Sequence, residues 1–166
     1  MSKRRTLKNS GWVNIKKLPK GPNGKALCRF CKKEVKGNRR SFCSDKCVRE
    51  HLIRSNPGYL RKEVFKRDLG VCSSCGVDTI ILQQETRKKL NTIPLFKDRK
   101  LNPERKDYLT SIGITEHHLS TSLWQAHHHV AVVEGGGECG IDNITTQCIM
   151  CHKAETKALR ARLKKK

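Results

Sequence analysis

A chain of 166 residues with 36% hydrophobic and 5% aromatic residues has room for one domain or two very small ones, each with a thin apolar core. Cores that thin need cross-links from disulfides or metals. A formal net charge of +21 and a pI near 10.0 call for a polyanionic partner, nucleic acid before any other, and no run approaches the roughly 18 apolar residues of a membrane span.

The charge is uneven. Residues 1–70 hold 21 Lys/Arg against 5 Asp/Glu, and residues 71–166 hold 15 against 10. Residues 1–24 read as a flexible basic arm able to track phosphates. The N-terminus, "MSKRRTLKNSGW", has no apolar stretch of the kind a secretion signal needs, so an intracellular reducing compartment, cytoplasm or nucleus, is expected. Cysteine usage agrees. Eight of the nine cysteines form four close pairs, as in thiolate–zinc sites, whereas secreted disulfide frameworks spread their cysteines.

Residues 25–56 form the first zinc unit. Cys28-x2-Cys31-x11-Cys43-x3-Cys47 is a self-contained tetrahedral ligand set, and His51, one helical turn beyond Cys47, is an alternative to one sulfur. "VREHLIRSN" continues as a short helix stopped by Asn56-Pro57-Gly58. "YLRKEVFKRDLG" has apolar residues at Tyr59, Leu60, Val64, Phe65 and Leu69, a helical pattern ended by Gly70, with a basic opposite face. Cys72-x2-Cys75 lies 72 residues before Cys148-x2-Cys151, a gap that would staple the start of a module to its end. Neither pair sits in a βαβ pattern, which argues against redox chemistry, and four sulfurs per site leave no open position for substrate.

Residues 78–122 hold charged helical patches such as "ILQQETRKKL", loops around Pro94 and Pro103, and two histidines, His117 and His118, expected on exposed helix or loop. "LWQAHHHVAVV" is β-rich, "EGGGECG" is a turn, and "IDNITTQ" resumes a strand. A helix follows from near Cys151, with Lys and Arg crowded at its C-terminal end. Cys139 is most simply a free residue of the loop.

His128 is followed by fourteen residues and Asn143, and Asn143 by eight residues and His152. His-x14-Asn-x8-His on a strand–turn–strand–helix frame, bracketed by CxxC pairs, resembles the HNH family of ββα-metal endonucleases. The run from "NPGYLRKEVFKRDLGVCSSCG" to that core also looks like the nuclease module of annealing helicases, and the FCS-type knuckle "SFCSDKC" precedes that module too. The resemblance implies a small zinc-stabilised α+β fold. The HNH nuclease domain spans residues 57–166 with the second four-cysteine zinc, its ββα-metal core preceded by a treble-clef-like or zinc-knuckle unit and connecting helices.

The same resemblance implies roles. His128 is the general base, Asn143 orients its imidazole, and His127 and His152 hold a catalytic divalent ion. Many family members have Asp where this chain has His127, and two neutral imidazoles favour Zn²⁺, Ni²⁺ or Mn²⁺ over Mg²⁺. Strand alternation alone would instead pair His127 with His129 on one face. In the family register His129 is a partly buried structural residue. Lys153 and Lys157, with Arg39 and Arg40, are the expected phosphate contacts.

The expected function is metal-dependent cleavage of duplex or branched DNA, leaving 5′-phosphate and 3′-hydroxyl ends, with two structural Zn²⁺. A non-catalytic zinc-knuckle module that binds nucleic acid on the same scaffold is the alternative. Oligomeric state is not readable.

Overall fold

The structure, a computed structural model, describes residues 13–165; residues 1–12 of the expected arm lie outside them. Residues 19–24, also assigned to the arm, instead hydrogen-bond into the first unit. Leu27 N–H donates to the Pro19 carbonyl, and the Glu34 carboxylate accepts from the backbone and side chain of Asn23 at 2.8 and 2.7 Å. Val35 and Phe42 pack around Cys28 and Cys47 to close this small core.

Helix α1 (Asp45–Ser55) starts where the Ser44 side chain accepts from Cys47 N–H. Pro57 does not open a loop. Asn56 ends α1 and caps α2 (Pro57–Asp68), because a proline at the first helical position forfeits only an N–H that would be unpaired anyway. α2 ends on Leu69 in the left-handed region (φ 53°), followed by Gly70 (φ 82°), close to the expected stop.

The middle third is helical: α3 (Thr79–Asn91), α4 (Pro103–Ser111) and α5 (Glu116–Ser120), with a small hairpin of β1 (Phe96–Lys97) and β2 (Lys100–Leu101) between the first two. Leu90, Ile93, Leu109, Ile114 and Leu119 share a core with Leu123 and Ile149. Arg105 holds the helices together, donating to the Leu90 and Ile93 carbonyls and pairing with Glu116. His117 is exposed, as expected, and His118 is half-buried, accepting from Thr115 N–H at the start of α5.

Strands β3 (Trp124–His128) and β4 (Ile144–Cys148) pair antiparallel, with Trp124 opposite Cys148 and His128 opposite Ile144. Val130–Val133 do not extend β3, although the apolar run suggested it: β4 begins at Ile144, so no partner edge reaches them. Helix α6 (Ile149–Leu163) begins two residues before the expected start, because Cys148 is its N-cap, its Sγ accepting from Cys151 N–H at 3.5 Å. α2 packs across the strand pair through Val64, Trp124 and Ile144, and Cys139 joins that core from the glycine loop. Arg67 donates to the Ile141 and Ile144 carbonyls, and Asp68 accepts from Thr146 N–H at 3.0 Å, locking α2 to β4. No helix among the described residues is long and apolar enough to cross a membrane.

Candidate metal centres and active site

Both four-cysteine groups assemble, Cys28, Cys31, Cys43 and Cys47 in one and Cys72, Cys75, Cys148 and Cys151 in the other, each with its sulfurs within 4.8 Å of one another. Zinc–sulfur bonds of about 2.3 Å in a tetrahedron put sulfurs about 3.8 Å apart. The Cys75–Cys148 separation is 3.8 Å, and Cys31–Cys43 and Cys43–Cys47 are 3.3 Å. Two four-cysteine groups that could hold zinc are therefore present. His51 is not in the first group; its ring lies against Phe42, 5.1 Å between centroids.

The two sites share a plan. A backbone knuckle presents one pair of thiols, and the N-terminus of a helix, α1 or α6, presents the other, where the helix dipole favours thiolate. Burial raises the Cys28 thiol, but backbone N–H groups of Cys31, Cys43 and Phe30 overcome it and bring the group to about 6. Cys72 reaches about 6 in the same way, its burial offset by N–H groups of Cys148, Cys75 and Ser74. Contact with the Cys47, Cys31 and Cys28 sulfurs pushes Cys43 up to about 12. One thiol in each cluster, Cys28 or Cys72, is thus held low, whereas Cys43 in the first and Cys148 and Cys151 in the second are pushed up.

The second group fastens the start of α6 to the knuckle before α3, and this fixes the histidines. His152 follows Cys151 on α6 and faces His127 of β3, with ring centroids 5.7 Å apart at 84°. His129 lies on the His127 side, 6.4 Å away. The three meet in a cleft of about 210 Å³ that His128, Glu155, Thr156 and Arg162 also line. β3 ends at His128 and the chain bends at His129 and Val130, so consecutive histidines reach the same cleft despite strand alternation. His128 also borders a hollow on the other side, with Arg54, Leu60, Glu138 and Cys139.

Burial holds His127 below the ordinary imidazole range; His152 reinforces this and Glu155 opposes it. Burial alone does the same to His152. Neutral imidazoles present the lone pair that a metal or a proton needs.

The Asn143 side chain is bonded within the glycine loop. Its Oδ1 accepts from Val130 N–H at 2.8 Å, while its Nδ2 donates to the Val130 and Gly136 carbonyls at 3.1 and 3.3 Å. This amide ties the glycine loop shut. Gly136 permits this, since a Cβ there would lie 1.8 Å from the Val130 carbonyl oxygen.

Lys153 and Lys157 line a separate groove along α6 with Arg160 and Lys164, and Lys153 also donates to the Gly113 carbonyl at 2.8 Å. Arg39 pairs with Asp45 at 2.9 Å in the first unit, Arg40 is exposed there, and neither lines the histidine cleft. Sequence reasoning missed Glu155 and Arg162 in the cleft wall. The His152-x2-Glu155 spacing on a helix is the signal that could have found the first.

A two-stranded antiparallel sheet running into a helix fastened by a four-cysteine group that could hold zinc, with histidines from the strand end and helix start meeting between them, is a ββα module of HNH type. The chain is homologous to a segment of DNA annealing helicase and endonuclease ZRANB3. The Mus musculus protein is 40% identical over 121 residues, which cover 69% of this chain. The Homo sapiens and Bos taurus proteins are 35% identical over 123 residues and 31% over 153. The aligned part is 11% of the mouse and human proteins and 13% of the bovine one. The crystal structure of the human ZRANB3 HNH domain superposes with a TM-score of 0.42 at 29% identity, over 68% of this chain and 98% of that one. No family model matches.

Proposed function

We propose that the chain is a metal-dependent DNA endonuclease module that cuts or nicks phosphodiester bonds, leaving 5′-phosphate and 3′-hydroxyl ends. The meeting of His127, His128 and His152 in one cleft, beside the basic groove of α6, is the observation that carries this reading. The name of the ZRANB3 relatives, DNA annealing helicase and endonuclease, supports it.

In this reading His127 and His152 bind the divalent ion, their imidazoles kept neutral by burial. When bound, the ion supplies Lewis acidity toward the scissile phosphate and the leaving oxygen. Histidine ligation favours Mn²⁺, Ni²⁺ or Zn²⁺ over Mg²⁺. His128 takes a proton from the attacking water as its oxygen bonds to phosphorus. The bond from phosphorus to the 3′-oxygen breaks, the oxygen keeping the bonding pair and taking a proton from solvent water to become the hydroxyl, while His128 returns its proton to solvent. Asn143 acts through the loop it closes. His129, on the His127 face, is a structural neighbour.

Lys153, Lys157, Arg160 and Lys164 fall on one face of α6 and follow the phosphate backbone. Arg39 and Arg40 extend the contact along the flanking duplex. Such contacts confer affinity and salt dependence without sequence choice.

The test is digestion of supercoiled, linear, forked and single-stranded DNA by the zinc-loaded protein with Mg²⁺, Mn²⁺, Ni²⁺ or Zn²⁺. Divalent-dependent nicking that leaves ligatable ends is expected. Salt-sensitive binding with no cleavage under any ion would show a binding module instead.

A further inference from the structure

We propose that Glu155 is a direct ligand of the ion held between His127 and His152, an inference that rests on the metal-dependent reading above. Glu155 lies one helical turn beyond His152 on α6, and residues three apart on a helix are surface neighbours. It is the only acidic residue lining the histidine cleft among the described residues.

The cleft wall leaves its carboxylate without a competing partner. Among the described residues Arg162 is the one Lys or Arg lining the cleft, and it gives two of its N–H groups to Glu134 at 3.2 and 2.9 Å. Thr156 donates its hydroxyl proton to the His152 carbonyl at 2.8 Å. Among the described residues Glu155 has no hydrogen-bond or ion-pair partner. An unpaired carboxylate therefore lies in the wall of the cleft of about 210 Å³ that the two half-buried imidazoles also line. Glu155 is exposed, so its side chain is free to turn toward the rings.

The charge arithmetic favours this set. Two neutral imidazoles leave a divalent ion at +2, whereas one carboxylate lowers the site to +1 and adds a hard oxygen donor. That donor draws Mn²⁺ and Mg²⁺ toward a site whose nitrogens alone would prefer Ni²⁺ or Zn²⁺. Glu155 would thus set which ion the module uses.

The experiment is calorimetric titration of Mn²⁺ and of Ni²⁺ into zinc-loaded protein, comparing wild type with Glu155→Gln and His152→Ala at low salt and at 0.5 M NaCl (a Debye length of about 4 Å). Glu155→Gln keeps the shape and helix and removes the charged donor. It should weaken Mn²⁺ binding by about tenfold or more, weaken Ni²⁺ less, and keep the difference at high salt. A loss that shrinks below about twofold at high salt would reduce Glu155 to a screened surface charge and overturn the proposal. Wild-type Mn²⁺ affinity in Glu155→Gln, with loss in His152→Ala, would also overturn it while leaving the histidine site standing. Unchanged Mn²⁺ affinity in His152→Ala would remove the histidine site and this inference together.

Discussion

The substitution Asn143→Asp separates two roles for the residue between β3 and β4. It keeps the side-chain shape and the oxygen that accepts from Val130 N–H at 2.8 Å. It removes both donated hydrogen bonds, to the Val130 and Gly136 carbonyls at 3.1 and 3.3 Å, and sets a carboxylate oxygen against those two carbonyls. At about 0.5–1.5 kcal/mol per lost bond, the cost is about 1–3 kcal/mol, lower in that range because the loop is partly exposed. For a chain of this size about 2 kcal/mol is roughly 4–8 °C in Tm. Scanning calorimetry of the zinc-loaded protein measures the drop, and hydrogen exchange should show faster exchange at the Val130 and Gly136 amides. A Tm change under about 1 °C with unchanged protection in the loop would refute the account. An Asn143 acting only on the imidazole would produce that result, with the effect confined to His128.

Removing one thiol of the second cysteine group, Cys75→Ser, should cost more than any loop change. Cys75 and Cys148 are 73 residues apart, and releasing a clip over a loop that long is worth about 4 kcal/mol of chain entropy. Thermal unfolding with metal analysis should show one zinc retained and a large fall in Tm. Acid should act on the histidines with a definite sign. Because burial depresses His127 and His152, the unfolded chain takes up their protons first as pH falls. Their contribution to stability is complete above about pH 6.5 and is lost as pH drops from there through their folded values. NMR titration should place both rings below the ordinary imidazole midpoint, and midpoints at or above it would contradict the burial argument.

The parts legible in the sequence are those fixed by short-range chemistry. Cysteine pairs at tetrahedral spacing pointed to both thiol clusters, and the family resemblance carried by the spacing of Asn143 and His152 from His128 pointed to the meeting of His127 with His152. What stayed hidden is non-local. The core of Leu90, Ile93, Leu109, Ile114 and Leu119 draws sparse apolar residues from three helices and the turns that follow α3 and α4, so no single window shows its periodicity. Residues 19–24 are held by Glu34, 11 positions from its partner Asn23, and composition there suggested only a basic arm. Val132 and Val133 have a strand's composition but are 59% and 69% exposed, because pairing ends with β4 at Ile144. Asn56-Pro57-Gly58 stops α1 as expected, and Asn56 also makes Pro57 the start of α2.

The central claim is that His128 is the base of a DNA-cleaving site whose scaffold stands without it. Nicking of supercoiled plasmid by zinc-loaded His128→Ala, compared with wild type under the same divalent ion, tests it most directly. General-base catalysis is worth about 10²–10⁴-fold. A fall of that size, with unchanged Tm, zinc content and Mn²⁺ affinity, is the predicted result. Cleavage at the wild-type rate by that variant would contradict the account.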